Sequence, residues 1–274
     1  MKIAASVLIT LLCASAAHAQ NWKGFYVGGA IGAAMQRDDA DETIEFDTNL
    51  DATFGDTIRT AAGGDAFSPG FCGGISTAAT VQGGCTEDED GIDFGGRVGY
   101  DWSMGSMLVG AIVEFSRPDA SDGASAFSTT PAFYAFDRSL NGLAGFRARV
   151  GGGSERVVVY GTGGLAWGWV DQTFMSSNAV NTFVAVNQDD DGSSQGAMGY
   201  QAGGGVEFLL GSRWSMFGEY LFTSLDNREE STIRAQGPAP ATNPFILTNT
   251  SGSDLRRTDR FDLHLLRVGL NVRF

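Results

Sequence analysis

Ile92-Asp93-Phe94-Gly95-Gly96-Arg97-Val98-Gly99-Tyr100-Asp101-Trp102 decides the fold. Ile92, Phe94, Gly96, Val98, Tyr100 and Trp102 share one face, and Asp93, Gly95, Arg97, Gly99 and Asp101 share the other. Side chains alternate across a β-strand, so this period of two is a strand with one apolar and one charged side. Its eleven residues exceed the usual soluble strand of about five or six, and match the ~9–11 that a tilted strand needs to cross a bilayer.

The pattern recurs along the chain. Met107, Val109, Ala111, Val113 and Phe115 oppose Glu114. Leu140, Gly142, Ala144, Phe146, Ala148 and Val150 alternate with Asn141, Arg147 and Arg149. Met198 to Leu210 sets Gln201 and Glu207 against an apolar face, and Trp214 to Phe222 does the same with Ser215 and Glu219. Leu266, Val268, Leu270, Val272 and Phe274 alternate with Arg267, Asn271 and Arg273. Gly24–Ala34 and Val157–Val170 are strands of less regular parity. The sum is eight strands, an even number. Their connections alternate between short (103–106, 151–156, 211–213) and long (35–91, 117–139, 171–195, 223–260). Short periplasmic turns and long extracellular loops are the asymmetry of an up-and-down transmembrane barrel. The expected fold is therefore all-β: an eight-stranded antiparallel barrel over residues 20–274, with residues 35–91 as a long extracellular loop within it.

Composition agrees. The chain has 274 residues, of which 39 are glycine and only 6 proline. That is about twice the usual ~7% glycine, and it suits neither collagen nor a helical protein. A net charge of −14 excludes nucleic acid, which requires a basic footprint.

The first residues read as a secretion signal: Lys2, an apolar run from Ile3 to Ala17, then Ala17-His18-Ala19 as the cleavage site, with the cut between Ala19 and Gln20. Leu12 precedes Cys13, so no lipidation motif is present. Loss of Lys2 takes the net charge to −15. The export route leaves Cys72 and Cys85 as a disulfide, contributing roughly 3 kcal/mol by loop entropy.

Three groups of residues are candidates for function. Asp93, Arg97, Asp101, Glu114, Arg147, Arg149, Glu207, Glu219, Arg267 and Arg273 are five acids and five arginines on the inward faces. An eight-stranded barrel is just wide enough for its side chains to fill it. Guanidinium forks pair with carboxylates in confined space, so these residues predict a plugged lumen crossed by an Arg–carboxylate network. An ion path is the alternative. Trp22, Phe25, Trp102, Trp214 and Phe274 predict a periplasmic aromatic girdle, and Phe115, Trp167, Trp169 and Phe222 an outer one. The first loop carries thirteen acids against Arg37 and Arg59, so it holds most of the net charge. This charge favours solubility and repels polyanions. The same carboxylates, and Asp189-Asp190-Asp191, are a weak Ca²⁺ or Mg²⁺ signal that could bridge lipopolysaccharide phosphates; neither segment presents a complete calcium loop. No other cofactor is implied. Ile44-Glu45-Phe46 alternates briefly and suggests that this loop extends the barrel as a hairpin above the membrane, and Pro238, Pro240 and Pro244 suggest an irregular fourth loop.

Trp22-Lys23-Gly24-Phe25-Tyr26-Val27-Gly28-Gly29, Gly161-Thr162-Gly163-Gly164-Leu165-Ala166, Glu219-Tyr220 and the C-terminal Arg267–Phe274 together resemble the small opacity-protein/OmpA-like outer-membrane barrels of Gram-negative bacteria. The terminal Phe274 resembles the signal read by the barrel-assembly machinery. The resemblance implies a protein of the outer membrane, in contact with lipid and lipopolysaccharide, serving envelope integrity, adhesion or host contact through its loops. It departs from the pattern in the long first loop with its cysteine pair and in having no peptidoglycan-binding domain after the barrel, so cell-wall tethering is not expected. A narrow porin is the second reading. A lipid-modifying enzyme is the third: the His-x-Ser dyad of lipid A deacylases is missing at His264-Leu265-Leu266, so no enzyme is expected.

Overall fold

The computed structural model describes residues 22–36, 42–86, 88–186, 195–226, 232–258 and 260–274. The signal segment with Ala19 and Gln20, and Asp189-Asp190-Asp191, lie outside these residues. The elements run in the order β1 (Gly24–Met35), β2 (Ile44–Asp47), β3 (Gly70–Gly73), β4 (Gly91–Met104), β5 (Met107–Pro118), β6 (Ser121–Ser128), β7 (Ala132–Gly153), β8 (Val157–Ser176), β9 (Thr182–Ala185), β10 (Gln195–Leu209), β11 (Trp214–Asp226), β12 (Ile233–Gln236), α1 (Pro244–Leu247), β13 (Ser253–Arg257) and β14 (Phe261–Arg273).

Eight of these close a barrel in the order β1-β4-β5-β7-β8-β10-β11-β14, and β14 returns to β1 with Ala30 opposite Gly269. Every pairing is antiparallel. Closure removes the sheet edges, which is why a barrel can stand in hydrocarbon. The alternation read from the sequence sets the two faces. Ile31, Phe94, Val113, Phe146, Leu165 and Val268 are all more than half exposed on the outer wall, while the charged residues between them are buried. An apolar belt of this extent, wrapped around a polar interior, faces lipid rather than water.

Two features differ from the sequence reading. A register shift between Leu140 and Gly142 inserts a bulge in β7, and it turns Leu140 inward, where simple alternation puts it outward. Much of the second and third loops is also strand. β7 and β8 run for 22 and 20 residues, well past the belt, and β6 pairs with the upper part of β7 while β3 pairs with β6.

The first loop does not extend the barrel as a hairpin. β2 pairs with β13 of the fourth loop, Phe46 opposite Leu255. β13 pairs with β12, and β12 with β9 of the third loop. The result is a separate four-stranded sheet over the long-loop end. The fourth loop is thus part regular: β12 and β13 flank α1, which Asn243 caps by accepting from Phe245 N at 3.1 Å. The Cys72–Cys85 disulfide is formed, tying β3 to the segment after it. At the opposite end the connections are short, as at Gly105–Ser106 between β4 and β5.

Candidate functional site

The interior is built in layers, beginning at the short-turn end. Trp22 lies just before β1 and is fully buried. Its Nε1 donates to Ser154 O at 3.0 Å, and its carbonyl accepts from Arg273 Nη1 at 2.8 Å. Trp22 packs with Leu108, Val158 and Tyr160 across the barrel mouth. This corrects its assignment to a girdle: Trp22 precedes the strand, so alternation does not fix its direction, and the mouth offers it a hydrogen-bonded apolar seat.

Above it, all ten charged residues expected inside are buried. They form two connected groups. The lower is a ring. Arg149 donates from Nε to Asp101 at 2.7 Å and from Nη1 to Glu207 at 2.8 Å. Arg273 Nη2 closes it, 3.0 Å from each of the same two acids. The upper is a chain: Arg267 lies 2.7 Å from Asp93 and also pairs with Glu114, Arg147 bridges Glu114 at 2.9 Å and Glu219 at 3.3 Å, and Arg97 reaches Glu219 at 3.5 Å. Asn271 joins the two groups, accepting from Arg97 Nε at 3.1 Å and donating to Glu207 at 2.8 Å. Five positive and five negative groups balance, and each is in contact with an opposite charge, the condition under which buried ions are tolerated.

Sequence reasoning did not find the uncharged members. Tyr26 lies between Arg149 and Arg273, each 4.9 Å from its ring, and Arg97 stacks 3.3 Å from the Phe217 ring centre. Tyr160 donates to Glu219 at 3.2 Å, and Ser215 to Glu207 at 2.5 Å. One signal could have exposed them. Three large inward rings sit opposite a glycine: Tyr26 opposite Gly99, Tyr160 opposite Gly205, Phe217 opposite Gly269. A Cβ on Gly99 would lie 2.3 Å from the Tyr26 ring. Gly99, Gly205 and Gly269 make room for aromatic rings, Gly32, Gly164 and Gly199 let a neighbouring backbone approach, and a Cβ on Gly110 would meet Asp101 and Arg149.

Next comes an apolar layer. Leu140, Leu143, Val170, Leu221, Leu225, Phe261, Leu263 and Leu265 form one buried apolar cluster across the bore. No charged residue of the lower network belongs to it. Above this layer is a second ionic cluster that the sequence did not announce. Asp122 meets Arg138 at 2.5 Å and Arg257 at 2.8 Å, and Arg257 meets Glu42 at 2.9 Å. Burial alone would raise the Asp122 carboxyl, but the Arg138 and Arg257 guanidiniums outweigh it and hold it below the ordinary carboxylate range. Carboxylate oxygens of Glu42, Asp88 and Asp122 lie within 4.8 Å of one another, yet two guanidiniums already supply positive charge there.

The long-loop end is closed by an aromatic core: Phe46 and Phe67 at 4.5 Å, Phe67 and Tyr134 at 5.2 Å, Tyr134 and Phe245 at 5.4 Å, Phe174 and Phe183 at 5.0 Å. All four loop regions contribute. The acidic first loop is ordered locally. The buried Asp47 carboxylate accepts the backbone N–H of Leu50 at 2.7 Å and of Ala52 at 2.8 Å, in a turn where both residues have positive φ.

The other candidates lie on the outer wall. Phe25, Trp102, Trp214 and Phe274 are exposed near the short-turn end, and Phe115, Trp167 and Trp169 near the other. Phe222 is half-buried, 5.2 Å from His264 and 6.0 Å from Tyr200. His264 Nδ1 is 2.7 Å from the Tyr220 hydroxyl. Phe274 N donates to Phe25 O at 2.9 Å, locking the chain end into the closing seam.

A closed antiparallel barrel with a lipid-facing belt and a polar interior defines the class: an integral outer-membrane β-barrel. The chain belongs to the outer membrane protein beta-barrel domain family, which matches residues 4–274. It is similar to the 31 kDa outer-membrane immunogenic proteins of Brucella melitensis and Brucella suis, with 27% identity over 199 residues, or 71% of this chain and 71% of each relative. Solved structures of similar form include OprG from Pseudomonas aeruginosa (11% identity, 95% of this chain, 99% of that chain, TM-score 0.49) and Neisserial surface protein A (11%, 92%, 97%, TM-score 0.36). Its place is the bacterial outer membrane.

Proposed function

We propose that this protein is a sealed, non-enzymatic barrel that presents a rigid acidic cap at the cell surface, serving envelope integrity and contact with host or surface ligands. The observation that supports this reading is the layered interior: an indole, an ion network, a leucine-rich layer, a second ion cluster and an aromatic core follow one another along the axis, their side chains buried. A polar conduit would require a continuous hydrophilic wall, and the apolar layer argues against one.

The long-loop end faces outward in this reading, because both chain ends and the short turns share the other end. The cap's fusion of four loops into one aromatic core supports a preformed binding surface rather than separate mobile loops. The Brucella relatives are described as immunogenic, and an exposed cap would account for the same property here. Phe274 serves the assembly machinery, and the exposed aromatics anchor the belt at its two interfaces. Antibody against the cap should label intact cells, and protease should shave it from them. Deleting 44–86 should abolish binding to host cells while leaving the barrel in the membrane. Labelling only after cell lysis would contradict the orientation. Unchanged binding by the deletion variant would contradict the cap's role.

A further inference from the structure

We propose that the outer wall between β11 and β5 holds one lipid A molecule, with a phosphate on Arg117 and an acyl chain in the groove beneath it. The inference rests on the outward orientation of the long-loop end, which sets Arg117 against the outer leaflet.

The groove is open, about 1110 Å³, and runs over β14, β1 and β4. Its floor is Gly29 opposite Gly96, and Ile31, Phe94, Phe115 and Leu270 stand beside it. These glycines differ from those inside. A Cβ on Gly99 would strike the Tyr26 ring, but a Cβ on Gly29 or Gly96 would meet only a backbone oxygen, at 3.6 and 3.8 Å. Internal packing does not require glycine at these two positions, and what their missing side chains leave is a recess on the lipid side. In a membrane that recess is filled by hydrocarbon.

Arg117 lines the same groove at its long-loop rim, across from Phe94. It is exposed, and among the described residues it has neither an ion pair nor a side-chain hydrogen bond. The other arginines of β4, β5, β7 and β14 are buried and paired. A guanidinium at the edge of hydrocarbon takes an anion with two oxygens to offer, and a lipid phosphate lies in that plane. The strongly acidic cap repels free polyanions, so the ligand needs the hold of its chain as well as its charge. Asp119, two residues farther out on the same face, limits the site to a phosphate level with Arg117.

The test is lipid A binding to the full-length barrel in detergent micelles, read by native mass spectrometry. Wild type should retain one lipid A. Arg117→Ala and Gly96→Leu should each weaken it at least fivefold, and Arg213→Ala at the opposite end should leave it unchanged. Should Gly96→Leu fail to assemble, Arg117→Glu carries the test, because it disturbs no packed side chain. Wild-type binding by both Arg117 variants, equal loss in Arg213→Ala, phosphatidylglycerol bound as tightly as lipid A, or a second barrel seated over the groove would each overturn the proposal. Binding in micelles is indifferent to orientation, so protease shaving of cells judges that reading separately.

Discussion

Arg147 touches two carboxylates from different strands, Glu114 on β5 and Glu219 on β11. Removing it leaves Glu114 to Arg267 alone and Glu219 to Arg97 alone among the arginines, both deep in a buried network. Breaking a buried pair by deleting one partner costs about 3–5 kcal/mol, whereas the partly exposed Glu45–Arg256 pair in the cap is worth about 1 kcal/mol. Arg147→Ala and Glu219→Ala should therefore lower the temperature at which the unboiled gel band converts to the unfolded one far more than Glu45→Ala does. Equal shifts would contradict the network. Glycine gives a second comparison. Gly99→Ala drives a methyl into the Tyr26 ring, while a Cβ at Gly211 meets nothing within 4 Å. The first should cost about 1–3 kcal/mol by overpacking, and the second should be near neutral by the same melting assay. Period-two alternation was enough to mark all ten inward charges, because direction follows from parity. It could not tell which arginine meets which acid, since that depends on strands brought together around the barrel. Nor could charge counting find Tyr26, Tyr160 or Asn271, which carry no charge.

At the level of elements, the belt strands were legible and the cap was not. β4 and β14 alternate cleanly because one face meets lipid and the other the network. β2 and β13 are 4 and 5 residues long and pair across most of the chain, Asp47 opposite Asp254. The alternation of Ile44-Glu45-Phe46 hints at a strand, but so short a run cannot name its partner, which lies far along the chain. The disulfide should matter here alone. Cys72→Ser should open the first loop to protease, at a cost of roughly 3 kcal/mol, and leave the belt's melting temperature in place. A matching fall in both would show that cap and barrel unfold as one unit. Acid should act at the same place. The folded Asp122 carboxyl sits below its unfolded value, so its contribution is present above the ordinary aspartate range near ~4 and is lost as pH falls through the folded value. Protease sensitivity of the cap should rise only below that range, and Asp122→Asn should remove the pH dependence. A cap that loosens near neutral pH would contradict this.

For the whole molecule, the two composition anomalies now have places. Glycine in excess serves a narrow bore: it receives the inward rings and, at Gly29 and Gly96, hollows the outer wall. Most of the negative charge belongs to the first loop, because the ion network inside the belt is neutral. In the proposed reading, layers of opposite character close the barrel along its axis, and the Leu140–Leu265 layer separates it from a porin of the same strand number. The layer was hidden in the sequence because its members lie above the charged residues on the same strands and because the bulge in β7 reverses the parity of Leu140. Planar-bilayer recording of the refolded full-length barrel tests this most directly. At neutral pH the account predicts no steady conductance above the bare bilayer, before or after protease removes the cap. A steady, ohmic conductance that survives cap removal would contradict it.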